Sequence, residues 1–111
     1  MTDKRFEVEL TQGAEDDLEA LHGYLAQHRS AEAAASLLDA LLETIHTLER
    51  FPHRGSIPQE LEMLGIREFR QLLLDPYRLI YRVIGGKVLI QVISDSRRNL
   101  QALLERRLLG R

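Results

Sequence analysis

The sequence predicts an α+β domain: a helical hairpin packed on one face of a largely antiparallel sheet. Three observations lead there. Tyr77–Ile84 and Lys87–Ile93 are β-rich runs separated by Gly85-Gly86, the pattern of a hairpin closed by a two-residue turn. Upstream, residues 14–48 carry leucine and alanine at helical spacing in two blocks. At the start, Phe6-Glu7-Val8-Glu9-Leu10 alternates apolar and charged side chains, as a half-buried strand does.

After that strand, Thr11 is placed to cap a first helix, and Glu15, Asp16 and Asp17 suit its positive N-terminal end. Ala14, Leu18, Leu21 and Leu25 mark its inner face, and it ends near His28. Gly23 within it costs about 1 kcal/mol relative to alanine. Ser30 caps a second helix whose buried stripe is Ala34, Leu38, Leu41, Ile45 and Leu48, widened by Leu37 and Leu42. The short gap between the two makes them antiparallel. Phe51-Pro52-His53-Arg54-Gly55-Ser56-Ile57-Pro58 ends the helix in a loop, and residues 59–64 form a short helical turn or irregular chain.

Ile66 to Leu74 is a second strand, and Asp75-Pro76 turns it into Tyr77–Ile84. Ser96 or Asn99 caps a final helix with apolar Leu100, Leu103, Leu104 and Leu108. Leu100 and Leu104 are expected to cover the core. Leu103, Leu108 and Leu109 fit either core cover or the wall of a groove for a partner helix. The full order is strand, two-helix hairpin, three-stranded antiparallel meander and C-terminal helix. The helices lie on one face of the sheet, and the other face is left partly open.

A two-residue turn at Gly85-Gly86 sets the register. Ile84 faces Lys87, Val83 faces Val88, Tyr81 faces Ile90 and Leu79 faces Val92, which gives an apolar face for the helices. On the opposite face Arg82 meets Leu89, Ile80 meets Gln91 and Arg78 meets Ile93. Arg78 and Arg82 then project together, away from the helical layer, unless a bulge breaks the parity.

The 111 residues suit a single domain spanning 1–111, and 44% hydrophobic residues are enough for a core. There is no cysteine, which excludes disulfides and thiolate metal sites and is compatible with a cytoplasmic protein. No apolar run is long enough to span a bilayer, and the N-terminus lacks a signal-peptide pattern. The net charge of −2 conceals an asymmetry. Residues 1–62 hold 13 acids and 5 bases, and residues 63–111 hold 4 acids and 10 bases, nine of them arginine. That distribution favours a basic partner surface on the second half over a merely solvated face.

Catalytic patterns are sparse. His22, His28, His46 and His53 form no ligand pair at helical spacing, so neither a metal nor a cofactor is expected. His53, beside Arg54 in the loop, is a candidate acid/base group, with an ordinary loop histidine the stronger alternative. The serines lack a nucleophile-elbow context and there is no glycine-rich phosphate loop. What remains is Arg67, Arg70, Arg78, Arg82, Arg97 and Arg98. Arginine stays protonated, so it serves poorly as a base but binds phosphate or carboxylate well. The set suggests binding more than catalysis, and ion pairs with the chain's own acids compete for it.

Nearly the whole chain resembles the RelE/ParE superfamily of toxins from bacterial type II toxin–antitoxin systems. The resemblance rests on the strand–helix–helix start, Phe51-Pro52-His53-Arg54-Gly55 and Gly65-Ile66-Arg67-Glu68-Phe69. It rests further on Tyr77-Arg78-Leu79-Ile80-Tyr81-Arg82-Val83, and on Val92-Ile93-Ser94 followed by Arg97-Arg98. It implies a growth-inhibiting cytoplasmic toxin, associated with plasmid stabilisation and neutralised by a cognate antitoxin that wraps it with a helical or extended segment. DNA would be met only through that antitoxin, and no membrane is involved.

RelE-like members cleave mRNA on the ribosome, whereas ParE-like members inhibit DNA gyrase by binding. Arg78, and Arg98 or Arg97, match arginines of the nucleases. Their lysine pair falls near Phe69 and Gln71 and is missing, as is a tyrosine near Leu104. The resemblance therefore favours a ParE-like gyrase inhibitor. A RelE-like endoribonuclease using Arg78 and Arg98, and a non-toxic antitoxin-binding member, are the alternatives.

Overall fold

The computed structural model describes residues 5–95 and 100–110. The elements run β1 (Glu7–Leu10), α1 (Gln12–His28), α2 (Ala31–Arg50), α3 (Gln59–Glu62), β2 (Phe69–Leu74), β3 (Tyr77–Ile84), β4 (Lys87–Asp95) and α4 (Gln101–Leu109). The sheet is mixed, in the order β1-β4-β3-β2, with β1 parallel to β4 and the other pairings antiparallel.

Both long helices start where side-chain oxygens meet free backbone donors. Thr11 Oγ1 accepts from Ala14 N at 3.3 Å, and Ser30 Oγ accepts from Ala33 N at 3.0 Å. Their inner faces bury Ala14, Leu37, Leu41 and Leu48, while Leu38 and Leu42 of the expected stripe turn outward. β2 begins at Phe69 rather than Ile66. The chain leaves α3 through Gly65 at φ 76°, and Ile66 N bonds back to Leu61 O at 3.0 Å, which holds it off the strand.

The hairpin register is as expected near the turn: Ile84–Lys87, Val83–Val88, Arg82–Leu89 and Tyr81–Ile90. Beyond Tyr81 a bulge makes Gln91 the extra residue of β4, so Ile80 meets Val92, Leu79 meets Ile93 and Arg78 meets Ser94. The expected partners Gln91, Val92 and Ile93 are each displaced by one. The consequence is local to β4. Ile90 and Ile93 both reach the hairpin side, and Val92 points to the other. Along β3 the alternation is unbroken.

The core therefore lies in two parts. On the hairpin side, Leu79, Tyr81, Val88, Ile90 and Ile93 pack with Ala14, Leu41 and Leu48. On the other side, Phe69, Ile80 and Val92 pack with Leu61 and with Leu100 and Leu104. The two long helices thus form the expected layer on one face, and the opposite face is left open only in part. α3 and α4 cover much of it, because the apolar side of α4 matches Ile80 and Val92. Leu100 and Leu104 are fully buried there, as expected, with Leu103, Leu108 and Leu109 packed partly against the same cluster.

β1 is short and pairs only Lys87 to Ile90 of β4. Past it, Asp17 of α1 takes over the strand edge. Its Oδ2 accepts from Ile93 N at 3.0 Å and from Arg107 Nη2 of α4 at 2.5 Å. One carboxylate thereby ties the first helix, the sheet edge and the last helix together. No helix among the described residues is long and apolar enough to cross a membrane.

Candidate interaction site

Alternation on β3 places Arg78 and Arg82 on the face opposite the long helices, as expected. Their environments differ from a solvent-facing row. Arg78 is only 8% exposed. Its Nη1 and Nη2 donate to Glu60 Oε2 and Oε1 at 2.6 and 2.9 Å, and its Nε donates to Gln71 Oε1 at 3.0 Å. This is a two-pronged, charge-assisted pair in a half-dry pocket. Hydrogen bonding from the Arg78 guanidinium, opposed by burial, holds the Glu60 carboxyl below its usual 4.5. Glu60 comes from α3, so the short helix is pinned over the sheet by the same contact.

Arg82 is half-buried, with its guanidinium carbon 5.7 Å from the centre of the Phe69 ring and Nη2 3.9 Å from Glu68. Arg67 is exposed and pairs with Glu62 at 3.3 Å. Arg70 lies on the opposite sheet face from Arg78 and Arg82, since it sits one position along β2 from Phe69 and Gln71. Its Nη1 donates to the backbone oxygens of His53 and Gly55 at 3.1 and 2.7 Å. Arg97 and Arg98 lie outside the described residues. The four described arginines thus do not converge as one patch. They are drawn into separate internal contacts, which weakens the reading of the sheet as a free anion-binding surface.

The contacts of Arg70 belong to a rigid loop between α2 and α3. Ser56 and Gln71 exchange backbone hydrogen bonds at 3.1 and 2.7 Å, adding a bridge to the β2 edge. The Tyr81 hydroxyl, wholly buried, accepts from Gly55 N at 3.0 Å. A side chain at position 55 would sit 2.6 Å from Gln71 O and 2.8 Å from that hydroxyl, so only glycine fits. Burial pushes the Tyr81 hydroxyl above its usual 10.0. Pro52, Gly55 and Pro58 turn inward, while Phe51, His53 and Arg54 stay exposed. In the sequence this loop reads only as the break that ends the second helix. Its role as a stapled projection depends on Tyr81 and Arg70, distant in the chain.

His53 contributes its carbonyl to Arg70, His46 pairs with Glu49 at 3.5 Å, and His28 stacks on Tyr24 with ring centres 4.5 Å apart. Among the described residues no group of three histidine or carboxylate side chains is close enough to hold a metal ion.

The fold is a small mixed sheet under a helical hairpin, with Arg70, Arg78 and Arg82 held in contacts within the chain. The chain belongs to the ParE toxin family of type II parDE toxin–antitoxin systems, whose model matches residues 8–100. A curated relative, Toxin ParE3 of Caulobacter vibrioides, is 29% identical over 94 residues, covering 85% of this chain and 90% of that protein. In structure, the chain is similar to a chain solved from the chromosomal ParDE toxin–antitoxin system of P. aeruginosa. The match has a TM-score of 0.67 at 22% identity, spanning 83% of this chain and 97% of that one, and it shows the shared fold.

Proposed function

We propose that this chain is a toxin that acts by binding rather than by catalysis, inhibiting DNA gyrase in the cytoplasm until a cognate antitoxin neutralises it. One observation carries the choice. Arg78, the arginine a RelE-like nuclease would aim at an RNA phosphate, is held by Glu60 and Gln71 inside the fold. A guanidinium committed to its own carboxylate must lose that pair before it can stabilise a phosphate. The structural neighbour comes from a ParDE toxin–antitoxin system, which supports an antitoxin partner for this chain. We further propose that residues 1–111 act as one toxin domain, with Arg67, Arg82, Arg97 and Arg98 contributing charge to its contacts.

The test is to induce the chain alone in bacteria, map transcript 5′ ends, and assay gyrase supercoiling with the purified protein. Growth arrest with intact transcripts and lost supercoiling is the expected result. New translation-dependent cuts inside coding regions would instead make it a ribosome-dependent nuclease. No arrest would leave a non-toxic antitoxin-binding module.

A further inference from the structure

We propose that the Phe51 knob at the end of α2 is the contact by which the chain docks on the folded protein it inhibits, seating the ring in an apolar socket with acidic walls. The inference rests on the toxin reading above and adds to it the residues that touch the target.

Phe51 is 64% exposed, a large ring left in water. Nothing in its own fold requires an aromatic there. Its backbone N–H closes the helix end on Thr47 O at 2.8 Å, a bond any residue but proline could make. The loop is anchored instead by inward-facing Pro52, Gly55 and Pro58. The ring is therefore spare, and it is rigidly presented. The Gly55–Tyr81, Ser56–Gln71 and Arg70 contacts fix the loop to the sheet on its far side. A pre-ordered aromatic loses little entropy on docking, and aromatic and arginine side chains dominate the energetics of protein interfaces.

Charge selects the partner. Residues 1–62 hold 13 acids against 5 bases, yet two of those bases, Arg50 and Arg54, flank Phe51, and exposed His53 stands beside them. Arg54 Nη1 donates to the neutral Thr47 hydroxyl at 3.2 Å. A basic collar around an apolar tip complements an apolar hollow rimmed by carboxylates. The shape decides further. A projection needs a preformed concavity, which a folded protein has, whereas a flexible antitoxin segment binds by lying in a groove. A nucleic acid would call for a longer track of bases than this short loop offers.

The test compares wild type, Phe51→Ala, Phe51→Trp and Arg54→Glu in three measurements: inducer needed for growth arrest, thermal melting by circular dichroism, and co-purification with the co-expressed antitoxin. Phe51→Ala should raise the inducer requirement about tenfold or more, and Arg54→Glu should weaken toxicity too. Phe51→Trp should stay toxic. All should melt within about 2 °C of wild type, as surface changes do, and keep the antitoxin. Full toxicity in Phe51→Ala overturns the inference and leaves the toxin reading intact. Loss of antitoxin with toxicity retained assigns the knob to the antitoxin and overturns it as well. So does Phe51-dependent binding of wild type to a single-stranded oligonucleotide in a filter assay. A wild type that causes no arrest overturns the toxin reading itself. If Phe51→Ala melts early, Arg54→Glu decides the matter.

Discussion

The two faces of the sheet are held by different physics. On the hairpin face, two long helices bury leucine and alanine against Leu79, Tyr81 and Ile90, and the contact is apolar and broad. On the other face, a four-residue α3 and a nine-residue α4 cover Phe69, Ile80 and Val92, and a buried ion pair locks α3 in place. Apolar burial is non-directional and stabilises by area. A buried ion pair gains little net stability over an apolar pair but tolerates only one geometry. The first face is held mainly by apolar area, and the second adds to its own apolar cluster a contact of one particular geometry.

That contrast can be tested by substitution. The largest effect belongs to the hairpin face. Leu48→Ala, at a position with no exposure, should lower unfolding free energy by about 3–5 kcal/mol in urea melts. Arg78→Ala should cost about 2–4 kcal/mol, because it strands the half-buried Glu60 carboxylate. The double change Arg78→Met with Glu60→Leu should recover most of that loss. A double variant as unstable as the single one would mean that the pair itself, and not the stranded charge, carries the stability. Tyr81→Phe, which removes the acceptor for Gly55 N, should cost about 1 kcal/mol and loosen the loop on the hairpin side. The smallest effect is expected at Arg67→Ala, whose exposed pair with Glu62 should contribute under about 0.5 kcal/mol.

Acid separates the faces again. The Glu60 carboxyl is depressed in the folded state, so its contribution is present above its unfolded value near 4.5 and is lost as pH falls through the lower folded value. Wild type should lose stability below about pH 4.5, and Glu60→Gln should flatten that part of the profile. Parallel acid profiles for the two proteins would remove Glu60 from the account.

The same division explains what the sequence made legible. The hairpin face could be read because its information is periodic: Ala14 to Leu25, Ala34 to Leu48, and the alternation of β3. The caps Thr11 and Ser30 were legible for the same local reason. The second face could not be read that way. Glu60 and Arg78 lie 18 residues apart, and Gln71 gives no sign that it completes their network. The bulge at Gln91 has no glycine or proline to announce it. An arginine's alternation shows which face it takes but not whether that face is dry, so a pair expected in solvent became one buried arginine and one stacked on Phe69. Phe51 stood in plain view, but only the loop's staples turn it from a helix end into a projection.

Asp17 has a consequence for how the protein behaves in a crowded solution. β1 stops at Leu10, and a strand that outruns its neighbour leaves backbone donors that can recruit another chain edge to edge. A single carboxylate fills that gap at Ile93 and is itself fastened by Arg107. The Ile93 donor that a foreign strand would pair with is thereby already taken by a side chain of the same molecule.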